Sequence, residues 1–228
     1  MTDTESLPSA VLDTAALDTA ALDGVVRVRD ESELTALIGE PLPRVRDKVR
    51  THLHEHDVAW LRVSPFCLVA TSSVDGRCDV SPKGDPPGSL AYVLGPTTIA
   101  LAERPGNRRA DGYRNILQNP HVGTVFFVPG RGDTLRVNGR AELVSSAPFF
   151  DSMLVKGKRP ILALVIEIEE VFYHCAKAFL RSQLWDPATW QPESVPRRAE
   201  IAKEVDADER TLADLIAYYG PDYGNQLY

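Results

Sequence analysis

Long apolar runs are missing from this 228-residue chain: no stretch approaches the ~20 residues that a membrane-spanning helix needs. Cysteine is scarce. Cys67, Cys78 and Cys175 are the only three, none in a Cys-x-x-Cys pair, which disfavours a disulfide framework or a clustered zinc site and fits free thiols in a reducing compartment. Excess positive charge is missing too. The formal net charge is -7, so the arginines are expected to serve a small anion rather than nucleic acid or an anionic membrane. The opening MTDTESLPSA has no basic-then-apolar leader, and no Gly-x-Gly-x-x-Gly follows a strand pattern. These absences predict a soluble cytoplasmic protein that is neither a Rossmann domain nor a membrane protein.

What is present reads mostly as β structure. Residues 1–24 contain the five-residue repeat LDTAALDTAALDG, whose leucine period fits neither a helix nor a strand; it predicts a disordered arm. From 25 to 228 the pattern predicts a single domain with a barrel core at about 62–185, a helical prefix and a helical appendix. Asp30 with Glu33 makes a capping-box start for a helix over 32–38, stopped by Gly39. Val45, Val49 and Leu53 predict an amphipathic helix over 43–55, with a second short helix near 58–63. Strands are expected at 66–72, 78–81, 90–94, 97–102 (half-buried), 122–128, 134–143 and 161–169, the last continuing through 171–175. Pro82 to Gly88 reads as a loop, because its prolines cannot serve a central strand. Short helices are expected at 148–155, at 176–185 with Lys177, Arg181 and Trp185 on one face, and at 209–219 with Leu212, Leu215 and Ile216 inward. Frequent turns between strands of similar length predict a mainly β (α+β) fold, a closed or partly closed antiparallel barrel with peripheral helices.

Two clusters carry chemistry. His52, His54 and His56 offer a partial metal-ligand pattern that nothing else in the sequence completes, so a solvated histidine patch is the expectation and no metal is predicted. Asn107-Arg108-Arg109 lies before the helical spacing of Tyr113, Ile116 and Leu117. With Asn107 as cap, two guanidiniums in a first helical turn oppose the macrodipole unless an anion sits there, and such a site suits a phosphate. The alternative is a solvated basic pair.

The order strand, Gly106-Asn107-Arg108-Arg109, helix, Asn119-Pro120-His121-Val122, strand, hairpin, Leu135-Arg136-Val137-Asn138-Gly139-Arg140-Ala141 resembles the pyridoxamine 5'-phosphate oxidase-like flavoproteins. The resemblance spans about 62–185. It implies a split antiparallel β-barrel and a homodimer holding FMN at the subunit interface, acting as an oxidoreductase on a small organic substrate with an external donor such as NAD(P)H. It implies cofactor contacts from Asn107, Arg108, Arg109, Ser81, Pro82 and Lys83, and from the second subunit through Thr134, Arg136, Arg181, Ser182 and Trp185. Trp185 is equally readable as a packing residue, and Arg136 with Arg140 as ion-paired barrel residues. In the founding oxidase an arginine stands five positions before the lysine; here that position is Cys78, with Arg77 one place off on the opposite strand face. The founding enzyme's C-terminal Arg-x-His element is replaced by His174-Cys175-Ala176-Lys177, so pyridoxamine phosphate itself is not the expected substrate. The same fold implies two alternatives: a reductase using the deazaflavin F420, or a flavin-binding module without turnover. No side chain stands out as a general base or nucleophile, and flavin chemistry requires none.

Overall fold

A computed structural model describes residues 24–227; residues 1–23 of the expected repeat arm lie outside them. Two compact units divide the chain, Met1–Asp47 and Lys48–Tyr228. In the first, α1 (Glu31–Ile38) starts as expected: the Asp30 carboxylate accepts the Glu33 N–H, the Glu33 carboxylate accepts the Arg29 N–H, and Gly39 ends the helix at φ 80°. The amphipathic helix expected over 43–55 shrinks to α2 (Pro43–Arg46).

In the second unit, Arg50 exchanges backbone hydrogen bonds with Val171 instead of continuing a helix. Its side chain explains the choice, because the guanidinium pairs with Asp57, a carboxylate with no exposed surface that also accepts the His54 N–H at 2.7 Å. That capping box starts α3 (Glu55–Val63), whose Trp60 and Leu61 enter the core.

Seven strands follow: β1 (Phe66–Ser72), β2 (Cys78–Gly84), β3 (Ala91–Gly95), β4 (Thr98–Glu103), β5 (His121–Phe127), β6 (Thr134–Val144) and β7 (Leu162–His174). They form one sheet in the order β2-β1-β5-β6-β7-β4-β3, with every pairing antiparallel. β2 and β3 are its unjoined edges, so the architecture is a split antiparallel β-barrel with peripheral helices, as expected. Pro82 lies within β2 rather than in a loop; an edge strand tolerates a residue that cannot donate to the ladder. The expected half-buried β4 is buried on both faces. Ile99 and Leu101 enter the main core, while Ala100 and Ala102 meet Phe150 and Met153 of a 3-10 turn (Pro148–Met153) in a second cluster.

Four further short helices lie in the unit. Helix α4 (Asp111–Ile116) lies against β1 and β2. Helix α5 (Lys177–Ser182) stops at a left-handed Gln183, so Trp185 lies beyond it and not on its face. Near the C-terminus, α6 (Arg198–Glu204) and α7 (Leu212–Tyr218) pack through Ala199, Ala202 and Leu215. Helix α6 was not anticipated, since its only buried side chains are two alanines. In α7 only Leu215 is buried; Leu212 and Ile216 are each 41% exposed, because a pair of helices this short covers one contact stripe.

Candidate functional site

The register of β1 with β2 sets Cys67 opposite Lys83, Val69 opposite Ser81 and Thr71 opposite Asp79, so Asp79, Ser81 and Lys83 share one strand face. The sheet curls until this face meets the end of β4, the strand next to the opposite edge. Lys83 Nζ lies 2.6 Å from Glu103 Oε2, an ion pair between the first and sixth strands of the sheet. The Tyr113 hydroxyl of α4 donates to the same Glu103 oxygen and lies 2.8 Å from Lys83 Nζ. Gly112 permits this approach of α4, since a Cβ there would stand 3.0 Å from Asp79 Oδ2, and Asn115 Nδ2 donates to Thr71 Oγ1 at 3.1 Å.

Between these elements opens a cleft of about 380 Å³. Its floor is the Lys83–Glu103–Tyr113 network and its rim is the loop from Arg104 to Ala110. The floor is protected: the Lys83 and Glu103 side chains are 17% and 22% exposed. Burial, followed by the bond to Glu103, drives the Tyr113 phenol far above its ordinary range, so it stays protonated. Burial pushes the Cys67 thiol up to about 12, an effect the Lys83 ammonium only partly offsets. Beside the floor, Arg104 pairs with Asp85 at 2.8 Å and donates to the Met153 carbonyl at 2.8 Å, fixing where the rim loop leaves β4.

The rim differs from its sequence reading. Asn107 is not the cap of α4, and Arg108 and Arg109 are not in its first turn: the helix begins at Asp111 after a left-handed Ala110. Asn107 instead folds the loop locally, its side-chain oxygen accepting the Arg109 N–H at 3.0 Å. Arg108 (φ 63°) and Ala110 (φ 55°) both occupy the left-handed region that non-glycine residues avoid. The Arg109 guanidinium, 79% exposed, pairs with Asp111. That pairing raises Arg109 and holds the Asp111 carboxyl below its usual range. Among the described residues, Arg108 has no ion-pair partner.

Of the residues singled out in the sequence, Ser81, Pro82, Lys83, Asn107, Arg108 and Arg109 line this one cleft. Thr134, Arg136, Arg181, Ser182 and Trp185 lie outside its lining. Thr134 is buried opposite His174, and Arg136 lies 5.1 Å from the Phe172 ring centre on the outer sheet face. Arg181 and Ser182 are exposed on α5. Trp185, half-buried, stacks on Phe179 and donates its indole N–H to the Arg131 carbonyl at 2.7 Å. Sequence reading missed Glu103 and the Tyr113 hydroxyl: a polar residue closing a strand and an aromatic at an apolar helical position carry no local sign that they meet. The histidine patch also differs. His52 precedes α3, while His54, Glu55 and His56 bring ligand atoms within 4.8 Å of one another, all exposed, with His54 capping the helix.

A model of the family described as pyridoxamine 5'-phosphate oxidase matches residues 53–175, more than half of the chain and all seven strands. Among solved structures, the chain is 17% identical to HupZ of Group A Streptococcus, covering 53% of this chain and 93% of that one with a TM-score of 0.43. It is 27% identical to a proposed pyridoxamine 5'-phosphate oxidase of Lactobacillus delbrueckii, covering 54% and 95% with a TM-score of 0.43. It is 19% identical to an F420 reductase, covering 54% and 98% with a TM-score of 0.39. Among curated proteins, none gives a significant match. Among the described residues, no helix is long and apolar enough to cross a membrane.

Proposed function

The chain belongs to the pyridoxamine 5'-phosphate oxidase family, and from that membership we propose that it is an FMN-dependent oxidoreductase acting on a small organic molecule. The observation that carries this reading is the convergence of Ser81, Pro82, Lys83, Asn107, Arg108 and Arg109 on one cleft of about 380 Å³. A pocket of this size with a few convergent polar groups suits a small-molecule ligand. The residues fit FMN at its phosphate end. Arg108 supplies a guanidinium with no competing carboxylate among the described residues, and Arg109 supplies a second whose partner, Asp111, is itself partly solvated. Exposed ion pairs of this kind contribute little and yield to a dianion. When bound, the flavin supplies two-electron chemistry; the side chains here bind and orient it.

The reading includes a homodimer in which Thr134, Arg136, Arg181, Ser182 and Trp185 of a second copy complete the site. The outer sheet face supports it, because Phe66 and Val80 are exposed there beside half-buried Leu68, Val125 and Phe127.

The test is spectroscopic. Untreated protein is expected to be yellow, to release FMN on denaturation, and to turn over a reducible acceptor with NAD(P)H. Replacing Arg108 and Arg109 by alanine should weaken FMN by at least tenfold while leaving riboflavin within about threefold, since charge-assisted bonds to the phosphate are each worth about 1.5–3 kcal/mol. Equal loss for both ligands overturns the phosphate assignment, and displacement of FMN by F420 at lower concentration overturns the cofactor.

A further inference from the structure

The cleft is electrically lopsided. At the rim, Arg108 has no ion-pair partner among the described residues and Arg109 shares a solvent-exposed carboxylate. At the floor, the lysine that by family resemblance would meet an anion is already engaged. Glu103 holds the Lys83 ammonium at 2.6 Å, both side chains are shielded from water, and Tyr113 bonds to both. Low exposure makes this pair stronger and less screened than one at the surface. The ammonium also lies 4.7 Å from the centre of the Tyr113 ring, a second contact that keeps it in place. With the phenol protonated, the network carries one positive and one negative charge and no net charge. Asp79, on the same face of β2, has no described cation within bonding distance and bonds to the Ser81 hydroxyl at 2.9 Å, adding negative charge along the wall.

We propose that Glu103 is a specificity-determining residue. By occupying Lys83 it leaves the cleft one anion-binding end, the Asn107–Arg109 rim, and makes the floor a site for a neutral hydrogen-bonding group. The ligand class is then a molecule with a single terminal anion and an uncharged polar body; a molecule that must also set an anionic group against β2 is rejected. This rests on reading the cleft as the ligand site, and adds to it a role for a residue that the family resemblance did not single out.

Inorganic phosphate and pyrophosphate, titrated calorimetrically at constant ionic strength without any flavin, test it. Glu103→Gln keeps an acceptor for the Tyr113 hydroxyl and releases the Lys83 charge, so pyrophosphate should bind at least tenfold more tightly than to the wild-type chain. The charge-matched double variant Lys83→Met/Glu103→Gln should return to within about threefold of wild type, and it stands alone as a test if Glu103→Gln does not fold. No gain in Glu103→Gln, a gain that persists without Lys83, or a tenfold loss in the double variant overturns the role of Glu103. Because no flavin is present, a chain that shows this pattern and fails to bind FMN overturns the cofactor reading alone. One that binds FMN without the pattern overturns only the inference.

Discussion

Asp57 shows how much one side chain settles before any ligand is considered. Burial opposes its ionisation, but the Arg50 guanidinium and the His54 N–H outweigh that, holding its carboxyl below the usual range. A folded-state value below the unfolded one means that the pair stabilises the fold above the unfolded carboxyl pKa of about 4 and stops doing so as pH falls through the folded value. Asp57→Asn is therefore expected to cost about 3 kcal/mol in urea unfolding at pH 7, with the gap to the wild-type chain closing below about pH 4. A gap that stays constant into acid would remove the charge from the account. At this scale the sequence was partly readable. The adjacency of Arg108 and Arg109 was visible, and so was the small-anion chemistry that such a pair suits. Their relation to α4 was not, because it depends on left-handed backbone at Arg108 and Ala110, two residue types with no preference for that region. Tyr113 was readable as an apolar helical residue and unreadable as a hydroxyl, since Glu103 and Lys83 reach it only after the sheet curls.

Elements were more legible than sites, and the exceptions share a cause. The strand positions follow from β-branched alternation and turn residues, and β1 and β5 to β7 fall close to where the pattern puts them. Where tertiary partners override local preference, reading fails. The helix expected over 43–55 gives way because Arg50 is claimed by Val171 and Asp57. Pro82 is admitted to β2 because, among the described residues, no strand pairs on its far side. Within β6 and β7 the register shifts between Asn138 and Gly139, and a Cβ on Gly139 would overlap the Glu167 carbonyl of the neighbouring strand. Gly139 thus permits a bulge at the most extensive pairing of the sheet. Gly139→Ala is expected to cost about 3 kcal/mol or more, read as a lowered midpoint in chemical unfolding, because the obstacle is backbone and cannot rotate away. Gly123→Ala, whose nearest neighbour would be the Asn138 side chain at 3.4 Å, should cost clearly less.

For the whole molecule, an antiparallel fold with many turns was legible from strand spacing alone, and the split barrel followed from the family resemblance. What no linear pattern contains is the meeting of β2 with β4, five places apart in the sheet, and that meeting makes the cleft. The outer face carries the proposed dimer. Light scattering should give twice the mass of the chain, and Val80→Asp, at a position 57% exposed in the single chain, should halve that mass without unfolding the protein. An unchanged mass would place the subunit contact elsewhere. The Lys83–Glu103 pair, finally, is both the floor of the cleft and a seam between the first strand and the sixth. Retuning either position for a new guest also alters a contact between distant strands. Divergence in what such a cleft accepts is therefore channelled toward the rim loop, whose shape the strands do not dictate.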